Sequence, residues 1–333
     1  MQNNPSNRSA NGIFSAAEVR AIDRAAIDAG IAGIELMSRA ARFALDTALS
    51  EFPLAQRWQI VCGAGNNAGD GYLLAKLASH SGIDVSVAYL TEPDTLNGDA
   101  RRAWQAAVLQ GVPIVPFNGA LRGDATLLVD AILGSGLTRA VEGRFAEAVR
   151  AINAHNAPCL ALDIPTGLHG DSGKVLGVAV RAGITVCFVG RKNGLYFHDG
   201  PEECGRVRFS SLGIPPRYYP SPALRLADES LIRAALPVRK RQTNKGDYGH
   251  VLVIGGGQGM PGAVRLAGEA ALRSGAGRVS IATCPQNSAS VAGSRPELMC
   301  HEITRAKELA PLLDAATVVA TGPGLGTGDW ARA

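Results

Sequence analysis

The sequence predicts an α/β fold, with three αβα layers around a mainly parallel sheet, followed by a second, partial α/β unit. Three observations carry that prediction. The chain has 333 residues, more than one ordinary domain holds. Aromatics make up only 5% of it while Gly supplies 40 residues, a mixture suited to tight βα turns rather than to a β-sandwich. Strand-like and helix-like segments alternate from residue 57 onwards.

Residues 15–30 predict the first helix. Ser15 is a candidate N-cap, Glu18 completes a capping box, and Val19, Ile22, Ala26 and Ile27 share one stripe. A second helix covers 34–50. Both precede the first predicted strand, so they read as an appendage to the sheet. Strands then follow at 57–62, 84–90, 112–115, 125–130, 158–162, 184–189 and 205–209. Helices fall between them at 69–81, 95–110 and 142–155. This alternation implies a Rossmann-like sheet with its binding crevice at the carboxyl ends of the strands. Five prolines and Arg239-Lys240-Arg241 mark 214–243 as a solvated linker. The domains are thus expected at 1–213 and 244–333. In the second, 251–254, 278–282 and 317–320 read as strands and 261–274 as a helix.

Composition narrows the function classes. A formal charge of +4 is too weak to argue for nucleic acid. The six Cys form no C-x-x-C pair, and Cys62, Cys159 and Cys187 sit in apolar strand-like runs. Buried reduced thiols are expected, rather than disulfides or zinc. Residues 1–12 are polar and Asn-rich, with no apolar targeting core. No apolar run approaches the ~20 residues of a spanning helix. The expectation is a cytoplasmic protein without a membrane partner.

Three predicted strand tips carry the chemistry. The run 63–71, GAGNNAGDG, follows a strand and opens a helix, a place that favours a phosphate. It satisfies the dinucleotide fingerprint G-x-G-x-x-A, and it adds Asn66, Asn67 and Asp70. Asn and Asp are also common turn formers. Asp130 ends another strand before Gly134-Ser135-Gly136, and Asp163 ends a third before Pro165-Thr166-Gly167. An Asp at a strand end is often a helix cap. Three such ends beside Gly loops point instead to one crevice. The cluster offers only oxygen donors, which suit a monovalent ion or a loosely held Mg²⁺.

These residues carry a family resemblance. GAGNNAGDG, VDAILGSG, LDIPTG and FVGRKNGL occur in order after FSAAEVRAIDRAAIDAG and LMSRA. Over about 12–212 the chain resembles the NAD(P)H-hydrate epimerases, which repair hydrated nicotinamide cofactor. The resemblance implies an isomerase whose substrate is the small molecule NAD(P)H hydrate. It implies hydrate contacts at Asn66, Asn67, Ala68, Gly69 and Asp70. It extends them to Gly134, Ser135, Gly136, Leu137, Thr138, Arg139, Ala140 and Asp163. It implies potassium held by Asn67, Asp130 and Thr166. Asp163 is the expected acid/base or electrostatic stabiliser, and Lys192 is its rival or a phosphate ligand. Thr166 stands where Ser is common, while Ser38 and Ala41 replace the usual Glu and Gly.

Residues from Lys245 resemble the start of an ADP-dependent NAD(P)H-hydrate dehydratase, a lyase of ribokinase-like fold. RPELM at 295–299 and GPGLG at 322–326 support this. It implies hydrate contacts at Ala263 and Gly324, with ADP and Mg²⁺ serving a complete domain. The later strands are absent before Ala333, and Gly328-Asp329 reads as a turn. A truncated ribokinase-like unit with no dehydratase activity and a sticky C-terminal piece is therefore expected. Two other readings of the chain stay open, an NAD(P)-dependent dehydrogenase and a non-enzymatic nucleotide-binding scaffold. The first leaves Asn66, Asn67, Asp130 and Asp163 without purpose. The second would be expected to lack the loop acids. A small-molecule kinase reading of the second half lacks a phosphate-handling segment. A homo-oligomer stays open.

Overall fold

The computed structural model describes residues 11–236 and 238–332. The polar leader over 1–10, Pro237 and the end at Ala333 lie outside the described residues. The chain divides into two compact units, Met1–Ile232 and Arg233–Ala333.

In the first unit a short strand, β1 (Gly12–Phe14), leads into helix α1 (Ala16–Asp28). The capping box forms as the sequence predicts. Glu18 N donates to Ser15 Oγ at 3.2 Å, and Ser15 N donates to the Glu18 carboxylate at 2.7 Å. Helix α2 (Gly33–Glu51) follows. Its departures from the family pattern fit locally: Ser38 is exposed and donates to Ile34 O, while Ala41 is buried. Next come β2 (Arg57–Cys62), α3 (Asn66–His80), β3 (Asp84–Tyr89), α4 (Gly98–Leu109) and β4 (Ile114–Pro116). After them lie β5 (Leu127–Ala131), α5 (Gly143–Ala154), β6 (Cys159–Leu162) and β7 (Ile184–Phe188). The last elements are β8 (Arg191–Lys192), α6 (Gly200–Cys204), β9 (Arg206–Ser210), β10 (Leu224–Arg225) and α7 (Glu229–Ala235).

Seven strands form one sheet in the order β4-β3-β2-β5-β6-β7-β9, and every neighbouring pair is parallel. Residues of α1 to α4 share one core with strand residues such as Trp58, Ile60 and Val129. Val149 and Ile152 of α5 share a second core with Val61, Leu128 and Ile132. Strands covered on both sides read as continuous apolar runs, which is why 57–62 and 127–131 were legible as strands. Cys62, Cys159 and Cys187 are buried and free, as their apolar settings predict.

Two features differ from the sequence reading. Helix α3 begins at Asn66, three residues before the predicted start. Gly65, at φ +80°, turns the chain at its N-cap, so Asn66, Asn67 and Asp70 belong to the helix opening rather than to a free loop. A second small sheet, β10-β1-β8, also went unpredicted. It draws part of the expected linker into the first unit. Leu224 and Arg225 pair with β1, and Tyr219 is buried with its hydroxyl donating to Val189 O at 2.7 Å. Two-residue strands show no periodicity by which a sequence could announce them.

The second unit holds β11 (His250–Ile254), α8 (Pro261–Arg273), β12 (Arg278–Thr283) and α9 (Pro285–Ser294). β13 (Leu298–Glu302), α10 (Ala310–Ala315) and β14 (Val318–Thr321) complete it. Its sheet order is β13-β12-β11-β14, all parallel. Val318 and Val319 of the edge strand β14 are exposed. The basic triplet is solvent-facing, and Arg239 also stacks on the Tyr248 ring at 3.9 Å. Asp329 opens a one-turn helix at 329–332 where a plain turn was expected. No described helix of either unit is long and apolar enough to cross a membrane.

Candidate active site

The carboxyl ends of β2, β5 and β6 open into a cavity of about 530 Å³ in the first unit. Asn66, Asn67 and Asp70 line it from the start of α3. Gly134, Ser135, Gly136, Leu137, Thr138 and Arg139 line it from the loop after β5. Asp163 and Lys192 complete its polar wall. Three of the predicted contacts lie elsewhere. Ala68 is buried in the core. Gly69 packs against Met37 and Ala100, where an added Cβ would come within 2.7 Å of the methionine sulfur. Ala140 is exposed and does not line the cavity.

Asp163 and Lys192 form the charged centre. Lys192 is 1% exposed and ion-paired with Asp163. Its Nζ also donates to Phe188 O at 2.9 Å and approaches Cys187 Sγ at 3.6 Å. These contacts engage the ammonium group and make the lysine a counter-ion to Asp163. Burial alone would lower its pKa, but the Asp163 carboxylate and Cys187 outweigh that, and the net direction is upward. Asp163 sits at φ +69°, a region uncommon for residues other than Gly. Its N–H is anchored on Val186 O at 2.7 Å, and its Oδ2 accepts from Ser135 N at 3.4 Å. Strained backbone of this kind clusters at functional sites.

Beneath the loop after β5 lies the second centre. Asp130 is fully buried, with no ion pair among the described residues. Thr166 N donates to its Oδ2 at 2.7 Å, and Thr166 Oγ1 donates to its Oδ1 at 2.7 Å. Ile132 N adds a third bond at 3.1 Å. Burial raises the Asp130 pKa to about 6 even though these bonds favour the anion. The same Thr166 Oγ1 accepts from Leu133 N at 2.9 Å, which ties the cavity loop to this centre. Asn67 completes the setting. Its amide is buried, and neither Oδ1 nor Nδ2 has a hydrogen-bond partner. It adjoins the same loop, since a Cβ on Gly134 would lie 3.6 Å from Asn67 Cβ and 3.5 Å from Asp163 Oδ2.

An unpaired buried carboxylate and an orphaned buried amide oxygen are both costly. An oxygen-seeking monovalent cation would relieve both. These donors are oxygens, of the kind that a hard cation takes. Among the described residues no group of three or more His, Cys, Asp or Glu could hold a metal.

Sequence reasoning missed the wall opposite the strand tips. Val19, Arg20 and Asp23 of α1, Met37 of α2 and Asp99 of α4 also line the cavity. The helices read as an appendage are thus part of the site. A signal was present: Asp23 lies one turn from both Val19 and Ile27, an acid set within an apolar stripe.

In the second unit Ala263 and Gly324 come together. A Cβ on Gly324 would lie 3.1 Å from Ala263 Cβ. The Gly loop after β11 is locked to the loop after β14, with Gly257 N donating to Gly324 O at 2.7 Å. Buried Asn287 holds the same loop through Gly256 O and Gly257 O.

Comparison with known proteins accords with this geometry. A family model described as YjeF-related protein N-terminus matches residues 33–194, and one described as NAD(P)H-hydrate dehydratase matches residues 251–333. The chain is 44% identical over 322 residues to the bifunctional NAD(P)H-hydrate repair enzyme Nnr of Coxiella burnetii, covering 96% of this chain and 66% of that protein. It is 36% identical over 323 residues to the enzyme of the same name from Escherichia coli, covering 96% and 62%. The chain therefore spans about two thirds or less of the length of these relatives. The crystal structure of yeast ynu0 superposes with a TM-score of 0.52 at 18% identity, over 59% of this chain and 86% of that one. That likeness concerns the fold alone.

Proposed function

The chain belongs to the family of bifunctional NAD(P)H-hydrate repair enzymes, and on that footing we propose that its first unit interconverts the two epimers of hydrated NADH or NADPH. The observation that carries this reading is the cavity itself. One pocket gathers the helix opening at Asn66, the loop Gly134–Arg139 and the Asp163–Lys192 pair. The N-terminus of α3 offers backbone N–H groups and a partial positive charge to the dinucleotide phosphates. Gly134 and Gly136 let the ligand approach the backbone.

Epimerisation inverts the carbon that bears the hydroxyl, next to the ring nitrogen. The hydroxyl departs and returns on the opposite face, or the ring opens and recloses. Loss of the hydroxyl develops positive charge on the ring, and both routes move a proton. We assign the stabilising of that charge to Asp163, which lines the cavity and whose carboxylate Lys192 fixes in place. Asn67, Asp130 and Thr166 would hold potassium. The ion, when bound, supplies a fixed positive charge that keeps the loop 132–134 against the tip of β6. The chemistry itself stays with the side chains.

For the second unit we propose a dehydratase-like region in which the Gly loops, Ala263 and Gly324 form part of a hydrate site, with ADP and Mg²⁺ serving the complete domain. We place the protein in the cytoplasm, where NADH and NADPH are used. A dehydrogenase reading leaves the buried Asp130 and Asn67 unexplained. The test is an assay on mixed hydrate epimers, coupled to a separate dehydratase that accepts only one of them. Conversion should run to completion with the chain present and stall at the accepted fraction without it. Stalling in both cases would refute the reading.

A further inference from the structure

We propose that Asp23 is a further catalytic residue of this cavity: helix α1 supplies a carboxylic acid that hands a proton to the departing hydroxyl of the hydrate. This rests on the epimerase reading of the cavity and goes beyond the residues that reading uses.

The position of Asp23 is set by backbone geometry. β1 pairs in parallel with β8, which places Phe14 opposite Lys192. The capping box starts α1 directly after β1, and Ala16 N donates to Asp171 Oδ1 at 2.6 Å. Val19 then packs over Gly190, where a Cβ would come within 2.9 Å of its methyl group. One turn further along α1 stands Asp23, lining the cavity. It lies too far along the helix to cap it. Among the described residues no hydrogen bond or ion pair holds its carboxylate. A half-buried acid with no structural partner costs stability, so packing does not account for Asp23.

The other charges around the cavity define that task. Asp163 is committed to Lys192 and to Ser135 N. Asp70 faces the same space from α3, also without a hydrogen bond or ion pair among the described residues. Asp99, Arg20 and Arg139 complete the charged lining. Burial pushes the Asp23 pKa upward, with Lys192 opposing and Asp163 adding to it. Burial, then Asp163 and Asp23, push the Asp70 pKa upward as well, with Lys192 opposing. Both carboxyls face the one cavity, and burial there favours their protonated forms. Asp23 is thus placed to hold a proton that Asp163, committed to Lys192, does not supply.

The step balances without a co-reactant. The C–O bond breaks and its electron pair leaves with oxygen, which takes the proton from Asp23. The ring nitrogen lone pair closes a C=N bond. Water then adds from the opposite face and returns a proton to the carboxylate pair.

The experiment measures epimerisation against pH for the whole chain as wild type, Asp23→Asn, Asp23→Glu and Asp70→Asn, with thermal melting of each. Asp23→Asn should lower kcat about 10²-fold, leave KM and melting nearly unchanged, and remove the fall in rate on the alkaline side. Asp23→Glu should restore part of the rate and the alkaline fall. Asp70→Asn should shift that fall to a different pH. The inference is overturned if Asp23→Asn keeps the wild-type rate and pH profile, or loses rate only through KM or unfolding. A wild-type chain with no epimerisation at all would take down the parent reading, and this one with it.

Discussion

Asp163→Asn is expected to slow epimerisation by about 10²-fold or more, and to destabilise the first unit at the same time. The rate loss follows from removing a preorganised charge at the reacting carbon. The stability loss follows from Lys192, which is 1% exposed and would be left without its counter-ion, either as a buried charge or deprotonated at a cost. Breaking a buried pair from one side costs about 3 kcal/mol or more. Replacing both partners separates the two effects. The double variant Asp163→Asn with Lys192→Met removes the buried charge altogether, so much of the stability should return. Its activity should not. Wild-type rates in Asp163→Asn would eliminate the role assigned to Asp163. Failure of the double variant to regain stability would show that the pair is not the source of the loss.

Potassium should raise the melting temperature of the first unit at neutral pH and lose that effect in acid. Asp130 ionises at about 6 in the fold against 3.8 in the unfolded chain. Between those values the unfolded chain releases a proton that the folded one keeps. Stability therefore falls as pH rises through this window, by on the order of 3 kcal/mol. Above it, the penalty of the buried anion is constant, and a bound cation offsets it. Below it, Asp130 is protonated and has little for the cation to bind. The comparison needs a bulky organic cation at equal ionic strength as control, so that screening is held constant. Asp130→Asn should remove the difference at every pH. A potassium effect that persisted in acid, or survived Asp130→Asn, would contradict the assignment.

The part of the site legible in the sequence is the part written in contiguous runs. Asn66 to Asp70, Asp130 with the loop at 134, and Asp163 with Thr166 each follow an apolar strand. In a parallel sheet such tips converge. What the sequence does not display depends on long-range packing. The pairing of Lys192 with Asp163 joins the two-residue strand β8 to the tip of β6, which share no pattern. Asp23 belongs to an ordinary amphipathic helix, and only the register of β1 on β8 turns that helix toward the cavity. Ala68 and Gly69 stand within the motif yet belong to the packed side of the helix, because it opens at Asn66, buries Ala68 in the core and sets Gly69 against Met37 and Ala100. Their small size serves helix packing, which a motif cannot distinguish from ligand contact. The apparent linker misled for a similar reason, since prolines mark irregular chain whether or not it packs, and Tyr219 packs.

The most direct measurement starts from each hydrate epimer in pure form and follows its chromatographic composition after the chain is added. With no ADP present, both starting points should relax to one common mixture at a rate proportional to protein concentration, with no NADH or NADPH formed from either. Samples that change no faster than buffer alone would contradict the account.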